Sequence, residues 1–162
     1  MQPVNPRVVD LLNEALTFEL TISNTYFLHA RMLDNWGLSR LGKAFYDLSI
    51  DEMRDADDLI QRVLLFDGHP NVQRLGAIRV GETAEEMLAL ALDSEKAAVA
   101  QFNAAAQECH DLGDHGTAAV FEDMVRDEEK HVDWFEAQLG AIERVGLPQY
   151  LAAHLSPGET PA

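Results

Sequence analysis

The chain has 162 residues, 47% of them apolar, which is enough for one domain with a buried core and too apolar for a disordered chain. Its formal net charge of −16, from 28 Asp+Glu against 12 Lys+Arg, speaks against nucleic acid or an anionic membrane as partner, since both demand clustered basic residues. A single cysteine, Cys109, rules out an intrachain disulfide and an all-cysteine metal site.

In chain order, Met1-Gln2-Pro3-Val4-Asn5-Pro6 carries neither a basic nor an apolar leader segment, so no secretory signal is expected, and no apolar run approaches membrane-spanning length. A cytoplasmic, reducing compartment is the expected setting. Asn5-Pro6 predicts an N-cap followed by proline at the first helical position. Val8, Leu11, Leu12, Ala15, Leu16, Ile22 and Tyr26 then recur at helical spacing, up to a stop near Asn35-Trp36-Gly37. Ser39 is placed to cap a second helix with the stripe Phe45, Leu48, Ala56, Leu59 and Val63, ending by Asp67-Gly68-His69-Pro70. The stretch through Gly81 has no helical period and is too long for a simple loop. Thr83-Ala84-Glu85-Glu86 is a capping-box pattern that opens a third helix carrying Leu88, Leu92, Val99 and Phe102, with its end around Leu112-Gly113. A fourth runs from His115 or Gly116 to Arg144, stopped by Gly146-Leu147-Pro148. Pro148 then begins a short final helix through about Leu155, and Ser156 to Ala162 reads as a loose tail. The expected organisation is one domain over 1–155 and a flexible tail over 156–162.

Two short-linked helix pairs joined by one long connection predict an all-α four-helix bundle of the ferritin type, with a short fifth helix. The short links make helices one and two antiparallel, and three and four likewise. The long connection is expected to let helix three start at the end of the bundle where helix one begins. Period and composition alone leave cytokine-like and purely structural bundles open.

The acidic residues narrow the choice. Glu19, Glu52, Glu95 and Glu128 sit on stripes that are otherwise apolar: Glu19 with Leu16 and Ile22, Glu52 with Phe45 and Leu59, Glu95 with Leu92 and Phe102, Glu128 with Val125 and Phe135. One such glutamate is commonly a rim residue that reaches water. Four converging on a core are a different matter, because each buried carboxylate costs several kcal/mol unless something positive compensates it. Their spacing is regular: Glu19 to Glu52 and Glu95 to Glu128 are each 33 residues apart, so the two halves are offset by 76. That predicts two superimposable helix pairs related by a pseudo-two-fold axis, with an oxygen-rich cage for a pair of cations. Glu128 and His131 form Glu-x-x-His on one helical face, which suits shared ligation of one cation. The same offset maps His131 onto position 55, where the residue is Asp55. Aspartate can ligate iron through oxygen, but it is shorter than histidine and adds negative charge.

From about Val8 to Leu155 the chain resembles a bacterioferritin. The resemblance is carried by Tyr26-Phe27-Leu28-His29-Ala30-Arg31, Asp34-Asn35-Trp36-Gly37-Leu38, Ser49-Ile50-Asp51-Glu52-Met53-Arg54, Glu85-Glu86-Met87-Leu88 and Arg126-Asp127-Glu128-Glu129-Lys130-His131-Val132-Asp133-Trp134. It implies a hollow twenty-four-subunit shell that oxidises Fe(II) at a di-iron centre inside each subunit and stores Fe(III) mineral. The resemblance places the ligands at Glu19, Glu52, Glu95, Glu128 and His131, with Asp55 where the family has histidine and Tyr26 beside the centre. It makes Met53 the ligand of a haem b shared by two subunits across a two-fold interface. Met53 lies about 100° round the helix from Glu52, outward, where a plain packing methionine could also sit. By the same resemblance Asp47 and Asp51 would face the cavity, although the family often has histidine at the former, and Asn35, Asp67 and Asp133 would line a pore.

The expected function is therefore iron storage with ferroxidase activity. The alternative is a storage or haem-carrying subunit that relies on a second subunit type for oxidation, and Asp55 is the argument for it. A DNA-protecting mini-ferritin is disfavoured, because there is no basic tail and the carboxylates lie within one bundle.

Overall fold

A computed structural model describes residues 1–156 as α1 (Pro6–Asn35), α2 (Ser39–Leu65), α3 (Ala84–Asp111), α4 (His115–Val145) and α5 (Leu147–Ala152). The expected all-α bundle with a short fifth helix is present, and among the described residues there is no strand. Asn5 Oδ1 accepts from the Arg7 N–H at 2.9 Å with Pro6 in the first turn, and Thr83 Oγ1 accepts from the Glu86 N–H at 3.1 Å. Glu86 also reaches back past the N-cap to accept from the Glu82 N–H at 2.8 Å, which ties the incoming chain to the first turn. Ser39 does not cap α2: Leu38 holds the N-cap position, buried in the core, and no side chain closes that end. The reason lies in the preceding turn. Gly37, at φ 79°, bonds its N–H to Asp34 C=O and passes the chain to Leu38, whose N–H reaches Leu33 C=O at 2.9 Å. Gly113 repeats that turn 76 positions later, so the internal symmetry extends to the corners.

α1 packs along α2, and α3 along α4. Antiparallel pairing follows from the contacts Ser23–Ser49 in the first pair and Lys96–Glu136 in the second. The connection over residues 66–83 runs the length of α1, bonding Asn71 N–H to Asn13, Gly76 N–H to Thr21 and Gly81 N–H to His29 in ascending order. It therefore delivers α3 to the end where α1 finishes. That reverses the expected starting point of helix three, because a strap of this length is needed to return the chain past the end reached by α2. The fifth helix stops at Ala152, short of Leu155, with His154 turning back onto Tyr150 C=O at 2.7 Å. Of the expected tail, Ser156 is tied to Gly37 C=O at 3.0 Å and to Ser39 at 2.7 Å, while residues 157–162 lie outside the described residues.

The core is two apolar clusters in series. One gathers Leu12, Leu16, Leu59, Phe102 and Phe121, the other Tyr26, Leu33, Phe45, Leu88 and Phe135. Between them every long helix contributes a glutamate, and these four make a polar layer closed above and below by hydrocarbon. Cys109 is buried and free, its thiol pushed up to about 11 by burial, so it acts as inert filling.

Candidate metal centre

Glu19, Glu52, Glu95 and Glu128 are each only 1% exposed. Their oxygens converge with Asp55 and His131 in two overlapping groups whose candidate ligand atoms lie within 4.8 Å of one another: Glu52, Glu95, Glu128 and His131, then Glu19, Glu52, Asp55 and Glu128. Glu52 and Glu128 belong to both groups. The two groups are therefore adjacent and share two carboxylates, with His131 belonging to one and half-buried Asp55 to the other. Despite its shorter side chain, Asp55 brings an oxygen within reach of its group.

Several oxygens here lack any hydrogen-bond partner among the described residues, namely Glu19 Oε1, both oxygens of Glu52 and Glu128 Oε1. Buried polar atoms are almost always bonded, so such a concentration marks a ligand-binding position. His131 Nδ1 faces the carboxylates, 3.1 Å from Glu52 Oε1, 3.7 Å from Glu95 Oε2 and 3.2 Å from Glu128 Oε2. Only Glu128 meets it in hydrogen-bonding geometry. Tyr26 Oη donates to Glu95 Oε1, and its ring packs on Phe45 and Phe135, which seals that side against water.

Electrostatics follow from burial and crowding. Burial raises Glu19 well above the usual carboxyl range, and the charges of Glu52, Glu128 and Asp55 raise it further. Burial pushes Glu52 up to about 7 and Glu128 up to about 8, against the opposing pull of His131. Asp55 rises to about 7, first through burial and then through Glu128 and Asp127. Burial works against a charged imidazole at His131, yet the carboxylates of Glu128, Glu52 and Glu95 crowded around Nδ1 outweigh it and raise that group far above its ordinary value. Tyr26 is raised by burial and then by Glu95. The metal-free cluster therefore holds protons near neutral pH that a cation would displace.

Two clefts in the α2–α4 groove reach this layer. One, of about 320 Å³, is lined by Asp51, Arg54, Asp55, Asp127, Lys130 and His131. The other, of about 430 Å³, is bordered by Asp55, Asp58, Asp123 and Asp127. Asp127 and Asp58 were not singled out by the sequence, although each stands three or four residues from a ligand position on the same helix, at Asp55 and His131.

Residues 9–145 match the ferritin-like domain family. The bacterioferritin of Mycolicibacterium paratuberculosis is 43% identical over 94% of this chain and 96% of its own length. Those of Brucella melitensis and Rhodobacter capsulatus are 37% and 36% identical, covering 95% and 93% of this chain and 96% and 94% of their own lengths. The chain belongs to the bacterioferritin family.

Within this bacterioferritin bundle, Met53 is 44% exposed on the outer face of α2, clear of the carboxylate layer. Tyr46 and Ile50 precede it by seven and three residues, and Tyr46 meets Phe27 of α1 with ring centroids 6.0 Å apart. An apolar strip with an accessible thioether thus lies on the outside of the α1–α2 pair, and it fits one face of a flat macrocycle. Asp47 is exposed and paired with Lys43 at 2.5 Å, and Asp51 pairs with Arg54 at 2.5 Å. Asn35 ends α1, Asp67 follows α2 and Asp133 lies exposed on α4. One chain does not bring Asn35 and Asp67 together, since they stand at opposite ends of the bundle. No helix among the described residues is long and apolar enough to cross a membrane.

Proposed function

We propose that this chain stores iron, admitting Fe(II) as substrate to the buried cluster, oxidising it there and passing Fe(III) to a mineral held inside a hollow shell of further copies. The observation that carries the reading is the set of unpartnered buried oxygens on Glu19, Glu52 and Glu128, arranged as two ligand groups sharing Glu52 and Glu128. Carboxylates shared between facing helices of a ferritin-like bundle would hold two Fe(II) side by side, where both could give an electron to one acceptor. Two Fe(II) supply two electrons. Dioxygen takes them with two protons to leave as hydrogen peroxide, or peroxide takes them with two protons to leave as water.

The residues divide this work by position. Asp55 and Asp127 line both clefts and form the approach. Glu95 and His131 close one side, with Tyr26 holding Glu95, while Glu19 and Asp55 close the other. Ligation at Nδ1 requires His131 to release its proton, so uptake of iron releases protons. Five carboxylates (Glu19, Glu52, Asp55, Glu95, Glu128) carry −5 when ionised, against +4 for two Fe(II). Histidine at 55 would leave the pair neutral, and aspartate leaves one negative charge, which favours Fe(III) over Fe(II).

We further propose, from the resemblance of the sequence to the family, a haem b held by Met53 in a shell of twenty-four subunits where two chains share each haem, within the cytoplasm; the exposed thioether of Met53 supports the haem. When bound, the haem supplies one-electron redox chemistry, and Met53 contributes a soft sulfur ligand on the Tyr46–Ile50 strip. The second reading is a storage and haem-carrying subunit that depends on another bacterioferritin chain for oxidation. The loss of histidine at position 55 favours it, and the placement of an Asp55 oxygen inside the second group favours the first. Stopped-flow Fe(II) oxidation by the pure homopolymer separates them. A fast phase saturating at two Fe(II) per chain is expected, and its absence would leave the partner-dependent reading.

A further inference from the structure

A second constellation of metal-binding side chains stands at the corner between α3 and α4. His110 lies in the last turn of α3 and His115 is the first residue of α4. Their Nδ1 atoms are 3.1 Å apart, and the ring centroids are 5.3 Å apart. His110 Nε2 is 2.7 Å from Glu122 Oε1, one and a half to two turns along α4 from His115. An ionised carboxylate accepts only, so that contact keeps the His110 proton on Nε2 and leaves a lone pair on Nδ1, facing His115. This is the arrangement in which a metal-binding histidine is held by a carboxylate behind it.

We propose that His110 and His115 form a two-imidazole site for a divalent transition ion of the zinc or copper class, with Glu122 fixing the tautomer of His110. The distance suits such an ion. Metal–nitrogen bonds of roughly 2.0–2.1 Å place two ligand nitrogens roughly 3.3–3.4 Å apart in tetrahedral geometry and roughly 2.8–3.0 Å apart at right angles. The observed 3.1 Å falls between these limits, so each ring needs only a small movement to admit the ion. The ion takes the place of the proton that His115 Nδ1 donates to His110, and that proton passes to His115 Nε2. The corner is also firmly built. Gly113, at φ 80°, bonds its N–H to His110 C=O, and Asp114, buried beneath, caps Thr117 N–H at 2.9 Å and pairs with Arg62 at 3.3 Å. The histidines are therefore preorganised, and water completes the coordination.

This site differs in chemistry from the carboxylate layer. His115 and His131 are both on α4, sixteen residues and so roughly 24 Å apart along the helix axis. The carboxylate layer offers one imidazole among oxygens, whereas the corner offers two, the donor type preferred by copper and zinc over the harder ions. The nitrogen count thus identifies which site an ion occupies.

The test is a titration of the full-length, iron-free protein with Cu²⁺, read by electron paramagnetic resonance, and with Zn²⁺, read by calorimetry. One equivalent of Cu²⁺ is expected to show hyperfine coupling to two nitrogens. H110A and H115A, both at exposed positions whose folding circular dichroism would confirm, should lose that pattern and bind at least about tenfold more weakly. E122Q should weaken binding roughly 10–100-fold. Coupling to one nitrogen or none in the wild type, or unchanged binding in H115A, would overturn the site, and unchanged binding in E122Q would overturn the role given to Glu122.

Discussion

Replacing Glu128 by glutamine tests the electrostatic picture of the metal-free centre. Glu128 is 1% exposed, and its carboxyl is displaced from an ordinary 4.5 to about 8, chiefly by burial, even though His131 pulls it the other way. A folded value above the unfolded one means that the folded state binds more protons between those limits. Stability is therefore lost as pH rises through that window, with no penalty below about 4.5 and the full penalty above about 8. At about 1.36 kcal/mol per tenfold change in proton affinity, the full penalty is about 5 kcal/mol, and relaxation with water entry leaves roughly 2–3 kcal/mol. E128Q never carries that charge. Metal-free E128Q should match the wild type near pH 5 and exceed it by roughly 2–3 kcal/mol at pH 8, or about 5–10 °C in Tm for a chain of this size. His29, which burial lowers to about 4, gives the opposite trend below pH 6.5, but it is common to both proteins and cancels in the difference. Differential scanning calorimetry of chelator-treated protein at several pH values reads this directly. An E128Q variant less stable than wild type at pH 8, or a difference that does not grow with pH, would refute the reasoning.

Three further outcomes follow from the same geometry. D55A should weaken the second of two Fe(II) or Co²⁺ sites at least about tenfold, or about 1.4 kcal/mol, and leave the first unchanged; two sites of unaltered affinity in a Co²⁺ titration would count against Asp55 as a ligand. Y26F leaves Glu95 Oε1 buried without its donor and should cost roughly 1–3 kcal/mol in the metal-free protein, measured by urea unfolding. R62M strips the cation from Asp114, which is 5% exposed, while Thr117 N–H still caps it, so a loss of about 2–3 kcal/mol is expected in the same assay.

Much of this bundle is written locally. Asn5, Thr83, Gly37 and Gly113 act within a few residues of themselves, so their caps and turns can be read from sequence. The four glutamates were legible because burial of charge conflicts with the apolar stripes around them, and because the interval of 33 residues recurs. What escaped depends on three dimensions. Ser39 has the chemistry of a cap, but Leu38 is drawn into the core and takes the position. The left-handed residue after α2 is Asp67, at φ 54°, and not the adjacent Gly68, whose own closeness to Val63 and Val9 leaves no room for a Cβ. The direction of α3 is set by the strap along α1, whose anchors Asn13, Thr21 and His29 carry no signature of that role. Asp127 and Asp58 gain their place at the approach only when α2 and α4 face each other across the groove.

The most direct measurement of a two-position centre is anomalous diffraction at the iron edge from crystals soaked anaerobically with Fe(II). Two peaks per chain are predicted, bridged by Glu52 and Glu128, one bound by His131 and the other by an oxygen of Asp55. A single peak on the His131 side, with Asp55 turned away, would contradict the account.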